Sequence, residues 1–276
     1  MSSLKTEKCA TVNCYDLPQY WDLAFSEDTA MEADFVLQAI QKFCSFQPTT
    51  LYEPGCGGGR LVVELAKRGM QVIGVDGSQA AIDYANSQLQ AAHTTADLFC
   101  GDMTTFVSPK LIDAAYCLVN TFRHLLTEEA ALAHLQCVAG QLRDGGLYVL
   151  GLHMFPPDAD TEDSENWSVT EDGITVDMHL DVADCRRDTR LETLKFQMSV
   201  TTADQPDVRQ FHSDYRMRLY EADQMLELLR KVPELELVGV YDFWYDLDEP
   251  LELCDDLGDT VLVLRKKSES FCHAKT

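Results

Sequence analysis

The sequence is short of positive charge. It holds 22 Lys and Arg against 46 Asp and Glu, a formal net charge of −24. Sequence-independent binding to nucleic acid depends on Lys and Arg neutralising phosphates, so that class of partner is disfavoured. No apolar run approaches the length of a membrane span, and no membrane partner is expected. The opening residues, MSSLKTEKCATVNC, lack the apolar core of a secretory signal, so the expected location is the cytoplasm. There are ten cysteines but no CxxC pair and no Cys/His zinc spacing. Neither a disulfide framework nor a metal site is expected. Internal repeats and low-complexity tracts are also missing.

What is present is the composition of a globular protein, 46% hydrophobic and 25% charged over 276 residues. That length suffices for one large domain, or for one domain carrying an insertion. The acid is concentrated in DADTEDSENW (158–167) and DLDEPLELCDDLGD (246–259). Both read first as solvated faces, with a site for a cationic partner as the alternative.

Residues 1–27 read as irregular and aromatic, with Tyr15, Tyr20, Trp21 and Phe25. A helix is expected through 27–46, stopped by Pro48. Short apolar strands then alternate with helical stretches. TTLYE, QVIGVD, DLFCGD, LIDAAYCLV and LYVLGLH read as strands. GRLVVELAKRG reads as a helix, as do SQAAIDYANSQLQAAH with Ser78 as N-cap and TEEAALAHLQCVAGQLRDGG between Thr127 and Gly145. This alternation implies parallel βαβ units. Over 160–219 the period drops to two, in ITVDMHLDV, RLETLKFQMSV and VRQFHSDYRMRLY, which predicts an antiparallel sheet of three or four strands. A helix and two strands follow, so the sheet is an insertion within an α/β domain. The expected divisions are 1–48 as an N-terminal lid and helix, 49–157 with 220–267 as the main domain, 158–219 as the insertion, and 268–276 as a tail.

LYEPGCGGGR (51–60) lies between a strand and a helix, where bare backbone amides face a ligand. A dinucleotide loop wants G-x-G-x-x-G; Gly55 and Gly57 fit, but Arg60 takes the third glycine position. A G-x-x-x-x-G-K-[ST] phosphate loop is absent. The segment matches acid-x-Gly-x-Gly-x-Gly, through Glu53, Gly55, Gly57 and Gly59. QVIGVDGS follows, ending its strand in Asp76, and then FCGDMTTF, with Asp102 and Met103.

Those three features in order resemble the class I S-adenosylmethionine (SAM) dependent methyltransferases, over about residues 50–155 and again at 221–267. The resemblance implies a doubly wound seven-stranded Rossmann-like α/β sheet, its seventh strand antiparallel between the fifth and sixth. It implies S-adenosyl-L-methionine as cofactor and S-adenosyl-L-homocysteine (SAH) as product. Carried over by position, Gly55 and Gly57 let the backbone approach the methionine portion, with Cys56 between them as a small filler. Glu53 holds the loop or meets the amino group. Asp76 binds ribose beside Gly77 and Ser78, and Asp102 and Met103 frame adenine. Leu118 to Asn120 pass along the methionine tail. Tyr20 and Trp21 resemble the family's N-terminal lid. A purely structural reading stands beside each: tight-turn glycines, an N-capping Asp76, a turn-forming Asp102.

Methyl transfer needs alignment and a dry site more than a fixed catalytic motif, so the acceptor is harder to read. The family's [DNS]-P-P-[YFW] motif for amino groups of bases and glutamine is replaced here by CLVNTFRHL. Small-molecule members often carry an antiparallel insertion after the fifth strand, which points to a small soluble acceptor, an amine or a hydroxyl. His124 and His153 are the candidate base or substrate ligand, and Arg123 the candidate anchor for a carboxylate or phosphate, each with a structural hydrogen bond as the competing role. Tyr215 and Arg218 on the insertion are within possible reach, with packing favoured. The insertion also offers a homodimer surface. The other classes considered are a SAM-binding module without catalysis and an NAD-dependent oxidoreductase.

Overall fold

A computed structural model of the chain describes residues 8–11 and 13–268. The N-terminal segment gives β1 (Lys8–Thr11), one 3-10 turn and the short helix α1 (Pro18–Ala24). Pro18 opens α1, where its missing N–H costs nothing and its fixed φ suits a helix. The long helix α2 (Thr29–Phe43) follows. The alternating region then runs β2 (Thr50–Pro54), α3 (Arg60–Lys67), β3 (Gln71–Asp76), α4 (Gln79–Ala91), β4 (Asp97–Cys100), β5 (Ile112–Cys117), α5 (Glu128–Gln141) and β6 (Leu142–His153). The insertion holds β7 (Ser164–Glu171), β8 (Ile174–Arg186), β9 (Leu191–Thr202) and β10 (Gln205–Arg218). The chain closes with α6 (Ala222–Arg230), β11 (Leu235–Tyr241) and β12 (Asp259–Lys266).

Seven strands form the main sheet in the order β11-β12-β6-β5-β2-β3-β4. The pairs among β6, β5, β2, β3 and β4 are parallel, and β12 runs antiparallel to both β6 and β11. This is the expected seven-stranded arrangement, with the last strand wedged in antiparallel. Successive strand residues serve opposite faces. Tyr52, Ala115, Cys117, Tyr148 and Leu150 pack with α5 and α6; Leu51, Ala114, Tyr116, Leu147 and Val149 pack with α2, α3 and α4. The chain leaves β2 toward β3 and β4, then returns to β5 on the other side of β2. That reversal opens a crevice above the carboxyl ends of β2 and β5, where such sheets bind ligands.

Ser78 and Thr127 cap their helices as expected, accepting from the Ala81 amide at 3.3 Å and the Ala130 amide at 3.2 Å. Three boundaries differ from the sequence reading. The irregular N-terminal stretch contains α1. Helix α5 stops at Gln141 rather than Gly145, because the chain already pairs with β5 at Leu142. The inserted strands number four, within the expected three or four, but β1 adds in parallel beside β10 to make a five-stranded sheet, β1-β10-β9-β8-β7. Its inner face buries Val176, Met178, Phe196, Met198 and Val200 against Tyr20 and Ala24 of α1. At about 1.5–3 kcal/mol for each large apolar side chain, this contact is enough to hold a seven-residue helix that could not persist alone. α1 therefore lies between the inserted sheet and the glycine loop.

Candidate functional site

The loop after β2 takes left-handed backbone at Gly55 (φ 71°), Gly57 (φ 52°) and Gly59 (φ 85°). The amides of Gly55 and Cys56 both donate to the Val75 carbonyl, at 2.7 and 3.0 Å, which ties the loop to β3. A Cβ on Gly55 would collide with Thr121, whereas one on Gly57 would meet nothing within 4 Å. Gly57 thus presents bare backbone to open space. Gly58 has a different reason to be glycine: a Cβ there would overlap the Asp22 carboxylate of α1.

Asp76 ends β3 and organises the next corner. Its carboxylate accepts from the Gly57 amide at 2.9 Å and the Ser78 amide at 2.8 Å. Asp102 opens the turn after β4. It accepts from the amide and hydroxyl of Thr104, both at 2.8 Å, and these bonds hold its carboxyl below the usual range. The carbonyl of the next residue, Met103, is held at 3.0 Å by Nδ1 of His134, whose Nε2 meets the Tyr148 hydroxyl at 2.7 Å. His134 is wholly buried, and burial lowers its pKa to about 4, so it serves as a neutral strut.

A cleft of about 960 Å³ runs along these corners, lined by Gly55, Gly57, Asp76, Gly77, Ser78, Asp102 and Met103 among others. Tyr15, Trp21, Val119 and His124 close its other side. A second cavity, of about 600 Å³, lies between the main sheet and the insertion and includes Asn120, Arg123, His153 and Tyr215. Tyr15, Trp21 and Val119 line both spaces.

Several expected site residues lie elsewhere. Tyr20 faces the insertion: its ring packs on Phe211 and its hydroxyl accepts from Arg209 at 2.6 Å. One residue turns a helix by about 100°, so Trp21 reaches the cleft instead. Leu118 is buried beside Gly151. Val119 and Asn120 both adopt positive φ, at 51° and 66°, a strained conformation for a β-branched valine. The kink sends Val119 to the cleft, while the Asn120 side chain accepts from the His153 amide at 2.8 Å. Cys56 is buried against Gly74, and burial raises its thiol well above the ordinary range; it fills space. Glu53 lies behind the loop, buried, with its carboxyl raised to about 8 by burial and by the neighbouring Glu32 and Asp22, against the pull of Tyr116 and Arg60. Arg60, the residue in the third glycine position, binds Glu32 and donates to Thr29 at 3.1 Å, joining α3 to α2.

The three acceptor-side candidates differ. Arg123 is buried, ion-paired with Glu192, and donates to the Arg218 carbonyl at 2.9 Å. It is a tie between the two sheets rather than a free anchor for an anion. His124 Nε2 meets the Tyr15 hydroxyl at 2.8 Å, and burial, with help from Arg123, lowers its pKa to about 4. His153 meets Asp259 through Nδ1 at 2.5 Å, and its ring packs on Phe243. Arg218 donates to the Leu126 carbonyl at 3.0 Å and is no part of the cavity wall, whereas Tyr215 is.

Residues 52–146 match the family model described as a methyltransferase domain. Over that segment the chain is similar to methyltransferase domains. A provisionally named methyltransferase of Geobacillus sp. (strain WCH70) is 25% identical over 141 residues, which is 50% of this chain and 57% of that protein. The chain thus aligns with little more than half the length of that relative. Three solved structures share the fold. A SAM-dependent methyltransferase from Clostridium acetobutylicum superposes with a TM-score of 0.73 at 15% identity, covering 93% of this chain and 100% of that one. Streptomyces venezuelae DesVI gives 0.75 at 19%, over 94% and 100%. The sugar N-methyltransferase KedS8 from Streptoalloteichus gives 0.71 at 19%, over 97% and 98%. The main sheet, its insertion and its N-terminal segment are thus one recurrent architecture. Among the described residues no helix is long and apolar enough to cross a membrane, and no cluster of metal-ligating side chains occurs.

Proposed function

We propose that this chain transfers a methyl group from S-adenosylmethionine to a small-molecule acceptor, with an amine nitrogen favoured over a hydroxyl oxygen. The observation that carries the proposal is the shared wall: the cofactor cleft and the second cavity meet at Tyr15, Trp21 and Val119. Gly57 offers backbone to the methionine portion, and Asp76 keeps spare acceptor capacity for ribose hydroxyls beside Gly77 and Ser78. Asp102 and Met103 stand at the adenine end. The bound cofactor supplies an activated methyl on a sulfonium. The chain supplies approach geometry and exclusion of water.

The Tyr15 hydroxyl and His124 Nε2 share a hydrogen bond where the two cavities join, and burial keeps His124 neutral. This pair positions the incoming acceptor. His153, oriented by Asp259, stands further into the second cavity as a substrate ligand or proton acceptor. The sugar N-methyltransferase named above supports nitrogen as the acceptor atom. A homodimer through the insertion belongs to this reading, and sedimentation measures it.

The test is calorimetric titration of the full chain with S-adenosylhomocysteine and with NADH, followed by methyl-labelled SAM and a panel of amines and alcohols. The expected result is SAH binding, no NADH binding, and label on a small amine. Asp76→Ala is expected to weaken SAH binding at least about ten-fold, since it removes a half-buried acceptor and loosens the loop. NADH binding without SAH would establish an oxidoreductase, and tight SAH binding with no transfer a binding module.

A further inference from the structure

The two acidic segments of the sequence have no part in the cofactor cleft. One of them converges on the second cavity, whose mouth is lined by Asp160, Glu162, Asp163 and Glu165, all exposed. None of these four forms an ion pair with a basic side chain among the described residues. Two of them are used locally, Asp160 accepting from the Glu162 amide at 3.0 Å and Asp163 from the Ser164 amide at 2.8 Å, which fixes the rim without neutralising it. The second acidic segment reaches the same cavity through Gly258 and delivers Asp259 to His153.

Deeper in, four aromatic rings close a circuit. Trp21 lies 5.0 Å from Phe25, Phe25 lies 5.6 Å from Trp167, Trp167 lies 6.4 Å from Phe196, and Phe196 lies 5.2 Å from Trp21, all between centroids. The Trp167 indole N–H is bound to the Ala24 carbonyl at 3.0 Å, so that side chain is held in place. The cation among the lining residues, Arg123, is cancelled by Glu192.

An acidic mouth, an aromatic wall and a neutralised arginine select for charge of one sign. We infer that the acceptor is an organic cation, an amine that arrives as its ammonium form on an apolar body, and that phosphorylated and carboxylated acceptors are excluded. This rests on the methyltransferase reading of the same site. The rim draws the cation in, and ring faces attract it once water is left behind. An anion would meet uncompensated carboxylates at the mouth and no free donor charge inside. Transfer then balances: the ammonium releases a proton to water at the rim, the nitrogen lone pair forms the N–C bond, and the S–C pair returns to sulfur. The products are a methylated ammonium and SAH, with one proton released overall from a primary ammonium.

The experiment uses the full chain saturated with SAH and three probes of one shape: benzyltrimethylammonium, benzyl alcohol and benzyl phosphate. Binding is read from tryptophan fluorescence. The cation is expected to bind at least about ten-fold more tightly than the alcohol, the phosphate not at all, and added salt is expected to weaken only the cation. The triple rim variant Asp160→Asn, Asp163→Asn, Glu165→Gln is expected to weaken the cation about ten-fold and leave the alcohol unchanged. Phosphate binding as tight as the cation's, or a rim variant with unaltered cation affinity, overturns the inference. SAH binding is measured on the same sample. Its loss would sink the methyltransferase reading, whereas SAH binding with no preference for the cation sinks this inference alone.

Discussion

Tyr15 and His124, 109 residues apart in the chain, meet hydroxyl to ring nitrogen at 2.8 Å where the two cavities join. Their rings stand nearly perpendicular, at 87°, with centroids 5.3 Å apart. The N-terminal segment and the turn after β5 are thereby linked at the place assigned to transfer. Tyr15→Phe keeps the ring and removes the hydroxyl. Its expected outcome is a fall in kcat of about ten- to hundred-fold with the dissociation constant for SAH changed less than about three-fold, as for a group that orients the acceptor. Single-turnover kinetics beside calorimetry separates the two; a matching loss of SAH affinity would make Tyr15 a cofactor contact only.

Gly58 and Asp22 form a latch between the glycine loop and α1. Gly58→Ala places a methyl group where the Asp22 carboxylate sits, so α1 must move. The variant is expected to bind SAH about ten-fold more weakly, and Asp22→Ala in the same chain is expected to recover most of that loss by vacating the space. Titration of both single variants and the double variant measures the coupling. Additive losses would show that the two residues act independently.

The same corner sets a pH dependence. Burial raises Asp22 from 3.8 to about 7 and Glu53 from 4.5 to about 8. The folded chain therefore holds protons that the unfolded chain releases, and stability falls as pH rises through this window. His124 and His134, lowered to about 4, act oppositely but only below their ordinary 6.5. Above pH 6.5 the two acids act without that opposition. The expected outcome is a Tm that declines from about pH 6.5 to about pH 8.5, and a flatter profile in Asp22→Asn with Glu53→Gln. Thermal melts across that range decide it; a variant that tracks the parent curve would remove both groups from the account.

Arg123 and Glu192 make a buried pair between the main sheet and the insertion. Arg123→Ala strands a buried carboxylate and is expected to cost about 3–5 kcal/mol of stability. Replacing both, as Arg123→Met with Glu192→Leu, is expected to restore most of it. Urea unfolding of the three proteins tests this, and a single variant within about 1 kcal/mol of the parent would show that the pair contributes little.

Much of this was legible in the sequence. The change from helical to two-residue period marked the main sheet and the insertion, because hydrophobic spacing reflects which faces are covered. The corners at Gly57, Asp76 and Asp102 were legible because each combines a strand end with a residue that only a turn or a ligand requires. β7 was hidden because it is an exposed edge strand of polar residues inside an acidic run, so burial left no pattern in it. α1 was hidden by its brevity. Assigning Val119 rather than its neighbours needed the positive φ at two consecutive residues, which composition does not encode. His134 left a faint trace, a lone polar residue on the buried side of α5, but its partners Met103 and Tyr148 come from separate elements.

The wall of Tyr15, Trp21 and Val119 has a consequence for the order of events. A molecule in either cavity is part of the boundary of the other. An acceptor seated against that wall shuts the near end of the cofactor cleft, so a cofactor arriving second would find its route narrowed. On the proposed reading, the expected order is cofactor in, acceptor in, methylated product out, spent cofactor out.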